Sequence, residues 1–169
     1  MFWHPWLRIA FLVLVSVSLA GLAFPSQAAA RNVSTAELTA TLDGRPLALK
    51  QVADYYCDDF SYPEIHCFSN PTMLESRVSP LLATTSIDYV TIYDFALFAG
   101  SYMYMSQDYT VLATIGWNDR IGSFIARNGE TGHFYTDWFY GGTSYVFCCN
   151  QQQGNLGSFN NTFSSVHRQ

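Results

Sequence analysis

Charge is what this sequence has least of: Asp, Glu, Lys and Arg together make up 12% of its 169 residues, and the basic side chains stand singly along the chain. A phosphate-backbone partner is gripped by clustered Lys and Arg. A formal net charge of -5 without such a cluster therefore excludes nucleic-acid binding. Long apolar runs are also missing. The run from Ile9 to Phe24 has 16 residues, short of the roughly 20 that carry a helix across a bilayer. No Gly-rich phosphate loop, nucleophile elbow or H-E-x-x-H helix is present, and His66, His133 and His167 have no metal-ligand spacing among them. An enzyme is not expected.

What is abundant is apolar and aromatic side chain, 49% and 17% of the chain, too much for a disordered protein and enough for a packed core. Arg8, the apolar run and the small residues Ala28 and Ala30 read together as a secretory signal over residues 1–30, with a retained anchor helix as the competing reading. Cleavage removes Arg8 and leaves 7 basic against 13 acidic residues, 7 − 13 = −6. The expected location of the remaining chain is extracellular, without membrane contact.

Export favours disulfides, and the cysteines are even in number: Cys57, Cys67, Cys148 and Cys149. A local Cys57–Cys67 bond leaves Cys148 and Cys149 free or joined as a strained vicinal pair. The other pairing ties the Cys148-Cys149 dipeptide to both distant cysteines. Neighbouring strand residues point to opposite faces, which favours the local bond.

Residues 31–86 form a partly helical N-terminal segment in this reading. Ser34 and Glu37 have the spacing of a capping box, with Asp43-Gly44 as the stop. Leu47 to Tyr56 fits a short amphipathic helix, and Asn70-Pro71 begins another that runs to Pro80. The acidic residues Asp54, Asp58, Asp59 and Glu64 around Cys57 read as a solvated face. From residue 87 onward short runs rich in β-branched and aromatic residues follow one another, punctuated by glycines: Ile87–Tyr93, Ser101–Met105, Ser123–Arg127, His133–Thr136, Thr143–Cys148 and Phe163–His167. That pattern predicts an all-β sandwich over 87–169.

Two signatures repeat in it. Tyr93-x-x-x-x-Phe98-x-Gly100 recurs as Phe134-x-x-x-x-Phe139-x-Gly141. Asn118-Asp119-Arg120-Ile121-Gly122-Ser123 recurs as Asn160-Asn161-Thr162-Phe163-Ser164-Ser165, at a displacement one position longer than that of the first signature. The first predicts a folded hairpin in which Gly100 and Gly141 take positive φ and Tyr93 and Phe134 supply the covering rings. In the second, the Ser123 and Ser165 hydroxyls hold the turn.

This combination resembles the βγ-crystallin superfamily, in particular its calcium-binding microbial-type domains. The resemblance covers residues 87–169 and implies two Greek keys, about 87–128 and 129–169, packed as a sandwich with up to two Ca²⁺ sites, each completed by a loop from the other key. Carried over position by position, it nominates Asn118 and Asp119 in one loop and Asn160, Asn161 and Ser164 in the other. Asp94 and Tyr135 would contribute mainly carbonyl oxygens. Gly122 lacks the first loop's hydroxyl and Asn160 and Asn161 lack the second loop's charge, so both sites are expected to be weak, on the order of 10⁻⁴ to 10⁻³ M, as in other extracellular modules.

The function implied is a secreted calcium-binding structural or interaction module, whose further partner is an extracellular protein or carbohydrate. A secreted protease inhibitor or antimicrobial toxin on the same fold is the alternative, with the Cys57–Cys67 loop as its candidate element. Trp117 and Trp138 are expected in the core, with a surface that meets carbohydrate or protein as the competing reading.

Overall fold

The computed structural model describes residues 37–169. The expected signal segment and the helix start at Ser34 lie outside that range. Eleven strands and one α-helix follow: β1 (Thr39–Leu42), β2 (Arg45–Leu47), β3 (Tyr56–Ser61), β4 (Glu64–Phe68), α1 (Pro71–Thr84), β5 (Tyr89–Phe95), β6 (Ala99–Met105), β7 (Ser123–Arg127), β8 (Gly132–Tyr135), β9 (Ser144–Phe147), β10 (Gln152–Gln153) and β11 (Ser165–Arg168).

The strands form two sheets, ordered β10-β7-β5-β6-β3-β4-β1-β2 and β11-β8-β9. Two Greek keys interlock across them. β10 of the second key leaves its own sheet to pair with β7 of the first, at Gln152↔Ile125. In return Tyr109 of the first key bridges Val166 in the second sheet. Each sheet thus contains a piece of the other key. Between the sheets, Phe124, Phe134, Phe147 and Phe163 are fully buried, with Phe134 at 4.7 to 5.3 Å from the other three rings by centroid. Strand alternation delivers Phe124, Phe134 and Phe147 inward, and Phe163 enters from the loop before β11.

The N-terminal segment extends the first sheet. β3 pairs in parallel with β6, at Tyr56↔Tyr102 through Asp58↔Tyr104, and the edge that β6 would otherwise expose is covered by the chain itself. Much of this segment departs from the helical expectation. Residues 39–42 are strand, and Asp43-Gly44 is the two-residue turn of a hairpin, with φ of 49° and 79°; Asp-Gly is suited to positive φ at both turn positions. Only Leu49–Asp54 within 47–56 is helical, as a 3-10 turn. α1 starts as expected, with the Asn70 side chain accepting from Thr72 N at 2.8 Å, but it passes through Pro80 and ends at Thr84. Pro80 is exposed, and its ring meets solvent there rather than a packed neighbour.

α1 lies on the outer face of the large sheet, with Leu74 and Val78 buried against Tyr89 and Tyr104. Glu75 accepts from the hydroxyls of Tyr102 and Tyr104, at 2.8 and 2.5 Å. Because β3 is an interior strand, Asp58 and Asp59 are both buried, not solvated. Asp58 is paired with Arg77 at 2.9 Å. Asp59 accepts from Ser106 N at 2.6 Å, Ser106 Oγ at 2.7 Å and Tyr109 Oη at 3.1 Å, and burial pushes its carboxyl up to about 6.

Cys57 and Cys67 are directly opposite on β3 and β4 and form a disulfide, leaving Cys148 and Cys149 exposed and free. The span between them is a sheet hairpin, not a protruding loop.

Candidate cation-binding loops

Two hairpins and two loops build the candidate site, and their backbone repeats at a single spacing. Leu97 and Phe98 have φ of 59° and 62°; Phe139 and Tyr140 have φ of 56° and 63°. Ser123 Oγ donates to Phe95 O at 2.7 Å and accepts from Phe98 N at 2.9 Å. Ser165 Oγ donates to Asp137 O at 2.6 Å and accepts from Tyr140 N at 3.0 Å. Every one of these pairs of counterparts, Phe95 with Asp137, Phe98 with Tyr140 and Ser123 with Ser165, has the displacement of the second signature. The shorter displacement of the first signature is thereby corrected by one position.

The true counterpart of Tyr93-x-x-x-x-Phe98-x-Gly100 is Tyr135-x-x-x-x-Tyr140-x-Gly142. Tyr93 covers Phe98 at 5.6 Å and Tyr135 covers Tyr140 at 5.7 Å, whereas Phe134, one position earlier, faces the core. Gly100 and Gly142 take positive φ, and Gly141 does not, at −91°. The ambiguity arose because Phe134-Tyr135, Phe139-Tyr140 and Gly141-Gly142 are doublets, so the pattern matches at either spacing.

With that spacing the nominated residues sort into two positions. At the first, Asp119 from one key meets Ser164 from the other, Ser164 Oγ lying 3.4 Å from Asp119 Oδ1. Asp119 has φ of 55° and its N–H donates to Phe163 O at 2.9 Å. Ser164 N donates to the Tyr135 carbonyl at 2.8 Å. Asn118 donates to Asp119 Oδ2 at 2.7 Å and accepts from Trp138 Nε1 at 2.9 Å. Beside them is an open groove of about 380 Å³ lined by Thr136, Asp137, Trp138 and Ser164. The loop that kept its charge and the loop that kept its hydroxyl thus contribute to the same position.

The second position joins Asn161, Gly122 and Asp94. Asn161 N donates to Ile121 O at 3.1 Å and Gly122 N to Tyr93 O at 2.8 Å, the counterparts of the bonds made by Asp119 and Ser164. The space between them is closed. A Cβ on Gly122 would lie 2.6 Å from Phe95 C and 2.8 Å from Asp94 O. The Asp94 carboxylate is held by Arg120, with Nε to Oδ1 at 3.0 Å and Nη2 to Oδ2 at 2.9 Å, and Arg120 Nη1 reaches Asp54 at 2.8 Å. These carboxylates, Asp94 first, raise the Arg120 pKa, so the guanidinium stays charged. Asn160, counterpart of Asn118, has no tryptophan across from it, since Ala96 stands where the other hairpin has Trp138.

Asp94 therefore offers no free carboxylate, and the counterpart of its backbone in the other hairpin is Thr136 rather than Tyr135. Arg120, Thr136 and Asp137 are not among the nominated residues, and Trp138 is assigned to the core by sequence. The first is hidden in a variable position of the motif, and the other three emerge only at the longer spacing. Trp117 is fully buried as expected; Trp138 is half-exposed, contrary to expectation. Among the described residues no three His, Cys, Asp or Glu side chains converge, so any ion here would be held largely by neutral oxygen.

No family profile matches the chain, and no curated protein matches it. Solved structures do. A βγ-crystallin from Ciona intestinalis is 24% identical, covers 48% of this chain and 99% of its own, and superposes with a TM-score of 0.44. A βγ-crystallin domain from Flavobacterium johnsoniae is 27% identical over 47% of this chain and 92% of its own, with a TM-score of 0.42. One from Clostridium beijerinckii is 24% identical over 47% and 95%, also at 0.42. The exchange of β10 and the Tyr109 bridge between two hairpin-locked keys defines the class independently: this is a βγ-crystallin-like all-β fold, enlarged by two N-terminal hairpins and a helix.

Proposed function

We propose that this protein is an exported structural module that binds one calcium ion, at the position shared by Asp119 and Ser164. The approach of those two oxygens carries the reading. A separation of 3.4 Å suits neighbouring ligands on an ion whose bonds to oxygen are about 2.3–2.6 Å long. The backbone of Thr136 and Asp137, which line the groove, would supply further hard oxygen, and the Asn118 amide oxygen would add another on leaving Trp138 Nε1.

The second position takes no ion in this reading, because the Arg120 guanidinium already neutralises Asp94. The expectation of two weak asymmetric sites is thereby reduced to one, still weak, at about the 10⁻⁴ to 10⁻³ M typical of extracellular modules. Calcium would bridge the two keys and hold them together.

Calorimetry of the chain in millimolar calcium against a chelated control tests this. An ion that binds only the folded form at ten times its Kd adds about 1.4 kcal/mol by mass action, and titration should saturate at one ion per chain. Absence of a melting shift, or saturation at two ions, would overturn the proposal.

A further inference from the structure

The groove beside Ser164 carries two side chains that its hairpin does not need for folding. Asp137 and Trp138 stand where the first hairpin, with the same backbone turn, has Phe95 and Ala96. Trp138 is 53% exposed. Its Nε1 donates to Asn118 Oδ1 at 2.9 Å, which orients the indole and leaves much of the ring to solvent. Asp137 is exposed as well, and its carboxylate enters no ion pair among the described residues. With Thr136 and Ser164 they line about 380 Å³, within the size range of small-molecule sites.

We infer that this groove binds a neutral saccharide, with one pyranose ring stacked on Trp138 and its hydroxyls hydrogen-bonded to Asp137 and Thr136. The chemistry of the lining selects that occupant. A pyranose has an apolar C–H face and a rim of hydroxyls, and the groove sets an indole face beside oxygen groups. An ionised carboxylate only accepts, so Asp137 suits sugar O–H donors, and charged acceptors make the stronger hydrogen bonds. Thr136 Oγ1 accepts from Thr143 N at 2.9 Å, so its O–H remains to donate to a sugar oxygen. None of the lining residues is basic, and Asp137 with the neighbouring Asp119 repels phosphate, sulfate and acidic sugars. A quaternary ammonium group is the other ligand for a ring beside an acid. Such a cation is best enclosed by several aromatic walls, and this groove has one.

The saccharide site goes beyond calcium binding and uses different groups. Calcium, in the reading above, takes the Asp119 carboxylate, the Ser164 hydroxyl and backbone oxygen. The sugar takes the Trp138 ring, the Asp137 carboxylate and the Thr136 hydroxyl. Saccharide binding therefore requires no calcium. Because the groove is open, it admits a ring within a longer neutral glycan as well as a free sugar.

The test titrates the full chain with cellotriose, maltotriose and mannotriose in the presence of a chelator, and follows the Trp138 indole N–H by ¹H–¹⁵N NMR. Loss of that resonance in Trp138→Phe identifies it. At least one trisaccharide should shift it saturably, with a dissociation constant in the millimolar range, while the indole of the buried Trp117 stays in place. Trp138→Ala should weaken binding about tenfold, read from the backbone amides of Thr136 and Asp137, and Asp137→Ala should weaken it severalfold. An unmoved Trp117 resonance verifies the fold of each variant. No saturable shift with any of the three sugars, equal affinity in Trp138→Ala, or tighter binding of choline than of every sugar overturns the inference. The chelator keeps these outcomes separate from the calcium titration, so either proposal can fail while the other stands.

Discussion

Arg120 grips Asp94 through two parallel N–H···O bonds, at 3.0 and 2.9 Å, in the place where the pseudo-symmetric half of the molecule has an open groove. A side chain of the protein thus occupies one of two positions related by the pseudo-symmetry. The pair is part-buried, with Asp94 at 15% exposure, and cutting the guanidinium back leaves that carboxylate without its partner. Arg120→Ala is expected to lower stability by about 1–3 kcal/mol, measured by urea unfolding. The number of calcium ions bound should stay at one, because Gly122 still brings no hydroxyl. A gain of a second ion in isothermal titration would contradict this account of the closed position.

Restoring the missing hydroxyl should do harm. In Gly122→Ser the new Cβ meets backbone atoms of Phe95 and Asp94 at 2.6 to 2.8 Å, and backbone in a folded hairpin gives way less readily than the end of a flexible side chain. An overpacking cost of about 1–3 kcal/mol is expected, with no added calcium response in the thermal melt.

Opposite results are expected at the other position. Asp119→Asn removes the charge and Ser164→Ala the hydroxyl, and each should largely abolish the calcium-induced rise in melting temperature while leaving the ion-free protein within about 1 kcal/mol of the parent. Asn161→Ala should keep the full response. Comparison of the three melts with and without millimolar calcium separates the two positions.

Much of the sandwich was legible because its signals are local. The six strand-like runs after residue 86 all became strands, and the serine at the end of each loop signature, Ser123 and Ser165, holds its hairpin as the residues suggested. The N-terminal segment was harder. Tyr56–Ser61 and Glu64–Phe68 carry acids and a histidine that read as surface, and only pairing with the distant β6, with α1 overhead, makes an interior strand of β3. The candidate site was readable by residue type and as a joint product of the two keys, but not by which side chains meet. Sequence placed Asp119 and Ser164 in separate incomplete loops, and the crossing of the keys, a non-local event, is what brings them together.

The disulfide contributes by restricting the unfolded chain. Cys57 and Cys67 are 10 residues apart, and closing a loop of that size is worth about 3 kcal/mol in the chain-entropy account. Cys57→Ala/Cys67→Ala should lower the denaturant midpoint accordingly, and since both residues are buried, the double variant loses some packing as well.

Asp59 sets a pH dependence whose sign can be worked out. Its carboxyl titrates near 6 in the fold, against about 3.9 in an unfolded chain, because burial disfavours the charged form more than Ser106 and Tyr109 favour it. The unfolded state therefore gives up its proton first as pH rises. The stability associated with protonated Asp59 is fully present below about 3.9, declines through about 6 and is absent above. The difference between the two states corresponds to about 3 kcal/mol. Asp59→Asn keeps an oxygen to accept from Ser106 and does not titrate, so its urea midpoint should change less between pH 4 and 7 than that of the parent, and the two should converge at the acidic end. An unchanged pH profile in the variant would assign the dependence elsewhere, with Asp58, whose carboxyl is also raised by burial, as the next group to replace.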